Sequence, residues 1–118
     1  MDLNAIIMGL ESVTEIPVYP DTAPAGEEKS ISFTYEDERP EFFGNNTPIA
    51  DTAYLQITLY TPEGYDYMDL KHMIRDYLEE KGFCVTSIES WLESGLTGTK
   101  CTRHTVFEAN YTEPRKEK

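Results

Sequence analysis

The longest helical pattern of apolar positions lies between Asp66 and Phe83. Tyr67, Leu70, Ile74, Tyr77 and Leu78 recur at the helical period, with Met73 at the border of the stripe. Asp66 is placed to accept a backbone N–H at the helix start, and Asp69 adds negative charge to the first turn, where unpaired amides favour it. Gly82 suits the left-handed position beyond the last turn, so the spacing predicts a Schellman stop that returns Phe83 onto Leu78. A second stripe, Leu3, Ile6, Ile7, Leu10 and Val13, predicts a helix over residues 2–14, capped by Asp2 and stopped before Pro17.

Four stretches carry strand patterns. In residues 30–36, Ile31, Phe33 and Tyr35 alternate with Ser32 and Thr34. In residues 52–61, Leu55, Ile57 and Leu59 alternate with Tyr54, Gln56, Thr58 and Tyr60, which predicts an aliphatic core face and a tyrosine face covered by another element or another subunit. Residues 83–92 are strand-like but mixed, with Phe83, Val85 and Trp91 on one parity and Cys84, Ile88 and Leu92 on the other. Residues 100–111 place Cys101, Thr105, Phe107, Ala109 and Tyr111 on one face, and the last two stretches are expected to pair as an antiparallel hairpin around a flexible 93–99 connection.

Proline and glycine mark the connections. Pro17, Pro20 and Pro24 keep residues 16–26 extended, with a short edge strand near Val18 as the most regular structure they allow. Residues 37–51 contain Pro40, Gly44, Asn45, Asn46 and Pro48 and read as a loop, whose Phe42 and Phe43 either tuck under the sheet or dock on a neighbour. Thr61-Pro62-Glu63-Gly64 fits a type I turn into the second helix. The expected order is helix, strand, strand, helix, strand, strand: an α+β domain with two helices packed on an antiparallel sheet. The domain spans residues 1–112, and residues 113–118 form a charged tail.

Composition adds one extreme value, a formal net charge of −12. A chain this acidic is repelled by nucleic acid and by anionic membranes, so sequence-specific nucleic-acid binding is excluded from the expected partners. The charge serves solubility, a surface that lets DNA pass without sticking, or mimicry of DNA. No apolar run reaches the roughly 20 residues that cross a bilayer, and the first ten residues lack a basic signal region, so the expected location is cytoplasmic. Cys84 and Cys101 have neither metal nor redox spacing and read as strand residues near each other across a hairpin. Their scatter with His72 and His104 argues against zinc. Glu36, Asp37 and Glu38 form the densest acid cluster, but three consecutive acids more often face water than converge on a cation. His72 has Asp69 and Asp76 on its helix face, without a visible nucleophile to serve. No catalytic, cofactor or metal residue is assigned.

From Leu3 to Tyr111 the chain resembles the small tail-completion or tail-terminator proteins of long-tailed bacteriophages and prophages. The resemblance rests on the N-terminal helix, the Pro17 to Gly26 segment, the strands Ile31 to Tyr35 and Leu55 to Tyr60, and the helix running into Gly82 and Phe83. It implies a ring at the head-proximal end of the tail tube that stops polymerisation and meets the head connector. The implied partners are copies of itself, the tube protein and the connector protein, with no cofactor. The implied location is the host cytoplasm during assembly and then the virion tail. A ring needs head-to-tail contacts. The candidate contact residues are Glu36, Asp37 and Arg39, Phe42 and Phe43 as anchors, and Tyr54 and Tyr60. The alternative is an acidic phage-encoded inhibitor or DNA mimic.

Overall fold

The alternation in residues 52–61 places Leu55, Ile57 and Leu59 at the centre of the molecule, each fully buried. The computed structural model describes residues 2–24, 28–44, 47–93 and 101–114, with the backbone alone at 41–44 and 47–48. In chain order these form α1 (Leu3–Met8), α2 (Leu10–Thr14), β1 (Val18–Pro20), β2 (Ser30–Gly44), β3 (Thr47–Pro62), α3 (Met68–Glu80), β4 (Cys84–Glu93) and β5 (Thr102–Pro114). The fold is α+β, with one five-stranded sheet ordered β1-β2-β3-β5-β4.

One face of the sheet is covered. Ile31 and Phe33 from β2, the β3 aliphatics, and Phe107 and Ala109 from β5 share a core with Ile7, Leu10, Ile74 and Leu78 of the helices. Burying such side chains is worth roughly 2 kcal/mol each, which is why short helices persist here that would melt alone.

The expected end of α3 is present. The N–H of Phe83 donates to Leu78 O at 2.9 Å and that of Gly82 to Glu79 O at 3.1 Å, with Gly82 at φ +100° and Phe83 buried. The start differs by a residue or two: regular helix begins at Met68, whose N–H is held by Asp66 Oδ1 at 3.1 Å. The N-terminal helix is not one uniform element. It tightens at Gly9, whose N–H reaches both Ala5 O and Ile6 O, while the Tyr77 hydroxyl donates to Ile6 O at 2.6 Å. Thr14, not Val13, is the buried residue of its last turn, and Glu15 leaves the helix at φ +61° before Pro17 is reached.

Three expectations about the sheet need correction. It is mixed and not wholly antiparallel, because the short strand at Val18 runs parallel to β2, pairing Val18 with Ile31 and Pro20 with Phe33. Residues 37–44 and 47–51 are not loop: β2 and β3 stay paired out to Gly44 and Thr47. Proline and charge are tolerated there because β1 reaches only Phe33, so the outer edge of β2 needs no donor from Pro40. Cys84 and Cys101 are free and lie at opposite ends of the β4–β5 hairpin: Cys84 pairs with Asn110 while Cys101 precedes Thr102, which pairs with Glu93. That places them roughly 30 Å apart along the strands. The predicted 93–99 connection falls, beyond Glu93, outside the described residues. So does the tail from residue 115, while Glu113 and Pro114 belong to β5.

Two glycines share a left-handed backbone but not a surrounding. Around Gly64, at φ +85°, a Cβ would meet nothing within 4 Å, whereas at Gly82 it would stand 3.2 Å from the Tyr111 ring. Gly64→Ala is expected to cost about 1 kcal/mol and Gly82→Ala about 2 kcal/mol in urea unfolding. Equal losses would remove any role for the Tyr111 contact. The Thr61 hydroxyl is fully buried with no partner among the described residues. Thr61→Val therefore should leave the unfolding free energy measured in urea unchanged or raise it by up to about 1 kcal/mol, and a clear loss would mean that the hydroxyl is bonded.

Candidate functional site

The second face of the sheet has no helix on it among the described residues. Cross-strand pairing fixes what it displays, because residues directly opposite one another share a face. Tyr60 pairs with His104 and His104 with Trp91; Gln56 pairs with Glu108 and Glu108 with Ser87; Tyr54 pairs with both Asp37 and Asn110. All of these lie opposite the Leu55, Ile57 and Leu59 side of β3. None of the described helices covers them.

At one end the face is aromatic. The His104 ring stacks on Trp91 at 5.6 Å and meets Tyr60 edge-on at 4.8 Å. Its Nε2 is 2.7 Å from a carboxylate oxygen of Glu93, and the Ser32 hydroxyl donates to Tyr60 Oη at 3.4 Å. At the other end, Arg39 Nε donates to Asp37 Oδ2 at 2.6 Å, and the Arg39 guanidinium lies 5.1 Å from the Tyr54 ring centre. The Glu38 N–H donates to Asp37 Oδ1 at 2.8 Å. The Arg39 hydrogen bond first, and then the Glu38 amide, hold the Asp37 carboxyl below the usual carboxylate range.

Between these ends lies an acidic pair created by a bulge. The β2–β3 register slips between Tyr35 and Asp37, which leaves Glu36 without a partner residue on β3. Glu36 then meets Glu108, which also accepts the Gln56 amide at 3.2 Å. Partial desolvation, followed by the charge and hydrogen bond of Glu108, pushes the Glu36 carboxyl above its ordinary value.

The candidate residues therefore fall on one face but in two groups. Glu36, Asp37, Arg39 and Tyr54 cluster near the bulge, and Tyr60 lies roughly 20 Å away along β3. Phe42 and Phe43 belong to β2 by their backbone, and their side chains lie outside the described residues. Glu36, Asp37 and Glu38 do not converge as one cation site would require, because Glu38 pairs with Ala53 and lines a hollow on the other face. The sequence reading missed Trp91, His104 and Glu108. It grouped Trp91 with Val85, but a bulge between Val85 and Ser87 reverses the parity of β4, so Trp91 faces away from the core.

The hollows on the helix side do not add chemistry to this face. One, of about 230 Å³, is lined by Leu3, Glu38, Asp51, Ala53, Tyr111 and Glu113, among others, and neither histidine borders it. His72 is exposed on α3, where Arg75 pairs with Asp76 at 2.9 Å. No helix among the described residues is long and apolar enough to cross a membrane.

No protein-family model matches the chain, and no curated protein matches it. Solved structures do match. One, whose name states no activity, aligns over 100% of this chain and 99% of its own at 11% identity and a TM-score of 0.44, a likeness that carries no argument about function.

The two shifted acids act on stability with opposite signs. Glu36 holds its proton more tightly when folded, so its favourable contribution is present in acid and is lost as pH rises through its raised value. Asp37 contributes above the ordinary carboxylate range, and its contribution is lost as pH falls through its lowered value. Glu36→Gln should raise the thermal midpoint at pH 7 by on the order of 1 °C and leave it unchanged near pH 3, whereas Asp37→Asn should lower it at pH 7. Melting curves across this range that show the same sign for both would contradict the assignment.

Proposed function

We propose that this chain is a structural protein of a long-tailed bacteriophage or prophage, which caps the head-proximal end of the tail tube, ends its polymerisation and joins the tail to the head connector. The single observation behind this reading, beyond the sequence resemblance, is a two-stranded arm. Among the described residues, pairing between β2 and β3 continues to Gly44 and Thr47, whereas β5 follows β3 only to Ala50 and β1 follows β2 only to Phe33. The last part of the hairpin thus has no further strand beside it among the described residues, in a molecule measuring 60 × 26 × 22 Å.

A closed ring requires each subunit to present two different surfaces, one to each neighbour. The arm supplies the first, and the bulge region with Asp37, Arg39 and Tyr54 supplies the second. The charge of −12 suits a lumen through which DNA slides without binding. It also makes like subunits repel at low salt, so assembly is favoured by salt or by the tube end itself. The partners are then other copies of the chain, the tube protein and the connector protein, and the role needs no cofactor or reaction. The chain works in the host cytoplasm during assembly and in the virion tail thereafter.

Light scattering across protein concentration and salt, with and without purified tail tubes, tests this reading. The expected outcome is a ring, alone or on tube ends, that is lost when residues 42–49 are replaced by a tight Asn-Gly turn, which keeps Glu41 opposite Ala50, while the melting transition is retained. A monomer that ignores tubes but displaces DNA from a DNA-binding protein would transfer the assignment to an acidic DNA-mimic inhibitor.

A further inference from the structure

The sheet guards its edges unevenly. Exposed strand edges offer unpaired N–H and C=O groups, and proteins blunt them with short strands, prolines, bulges and charged residues. On one side, β1 is three residues long and ends at Pro20, and the β2 edge beyond it carries the Glu36 bulge, Pro40 and four acids. On the other side β4 is the outermost strand, and a bulge interrupts it only near Thr86. From Ile88 to Glu93 its pairing with β5 is regular, with no proline, no lysine and no bulge. This stretch also carries Trp91 and Leu92, each 44% exposed. It is the part of the described edges on which none of those devices except two carboxylates is found.

We infer that the Ile88–Glu93 edge is a docking site for an extended segment of a partner protein that alternates basic and aliphatic residues. This inference does not depend on the tail reading. Alternation sorts the edge into two rows: Glu89, Trp91 and Glu93 on the helix-free face, and Ile88, Ser90 and Leu92 on the other. A strand added beside β4 would place one side chain directly opposite Trp91, with Glu89 and Glu93 as its diagonal neighbours. His104 already stacks on Trp91 from the β5 side, which fixes the indole and leaves its outer side toward the added strand. A guanidinium or ammonium there gains an aromatic face and two carboxylates together. Glu89 has no ion-pair partner among the described residues, and Glu93 shares only His104. Alternate residues of the added strand would lie beside Ile88 and Leu92, which favours aliphatic side chains. The backbone bonds supply affinity and the alternating side chains supply selection, as in other strand-addition complexes. A second copy is the poorer occupant, since it brings two more carboxylates to the same edge and a net charge of −12.

Trp91 is the single tryptophan of the chain, so its fluorescence reads this edge directly. The probe is a short blocked peptide alternating valine with arginine, titrated against the full chain at low and physiological salt. Binding should change the Trp91 emission, weaken as salt rises, and fall at least tenfold when alternate peptide nitrogens are methylated, because methylation removes main-chain donors and leaves the charge intact. The E89Q/E93Q double variant, altered only at exposed positions, should bind at least tenfold more weakly. E89K/E93K should reverse the preference toward a peptide alternating valine with glutamate. Equal binding of the methylated peptide would reduce the effect to charge alone and overturn strand addition. Self-association reported by the same emission, with no response to the peptide, would assign the edge to a second copy and overturn the proposal.

Discussion

The burial of one face of β3 is the constraint on which the rest of the molecule depends. Leu55, Ile57 and Leu59 are fully buried because β2 and β5 flank them and Ile74 and Leu78 of α3 share their core. Removing water from such side chains is worth roughly 25 cal/mol for each Å² hidden, and no other term in this chain acts over so many residues at once. The pleat then dictates the rest of the strand. With the odd-numbered aliphatics turned inward, Tyr54, Gln56, Thr58 and Tyr60 must turn outward, and their partners on β2 and β5 turn with them. The helix-free face is therefore a geometric consequence of the core.

Two single-residue irregularities edit that consequence. The slip at Glu36 brings a second carboxylate beside Glu108 and sets Asp37, with Arg39, against Tyr54. The slip at Thr86 moves Trp91 from the core parity to the open one, where it stacks on His104. Without the first, the acids would alternate across both faces in register. Without the second, the indole would lie on the helix side and the edge of β4 would lose its aromatic residue. Bulges are local in sequence but change every side chain beyond them, which is how a small sheet can carry both a clean core and a decorated surface.

This is also why part of the molecule was legible in the sequence and part was not. The α3 stripe with its Gly82 stop, the alternation of β3 and that of β5 could be read directly, since each obeys one period from end to end. The short strand at Val18 was visible from its flanking prolines, but its parallel direction was not, because pairing direction depends on where the chain returns. The 37–51 stretch misled because Pro40, Gly44 and the asparagines are loop residues by local preference, while the pairing that overrides them comes from β3. Of the candidate contact residues, Glu36, Asp37, Arg39, Tyr54 and Tyr60 do share a face. Trp91 escaped because a slip of one residue leaves no mark in composition or spacing, and His104 and Glu108 because the groups they meet lie on other strands.

The strand order has a consequence for how the chain assembles. β2 with β3, and β4 with β5, are hairpins between strands adjacent in sequence, and β1 pairs with the strand that follows it. The β3–β5 seam alone joins strands distant in sequence, closing a loop of roughly 40 residues that contains α3 and β4. Closure of a flexible loop of that length costs about 3 kcal/mol of chain entropy before any of its contacts are made. The search for the native state is thereby concentrated in one docking event, in which a hairpin from each half of the chain meets along Ile57 and Phe107.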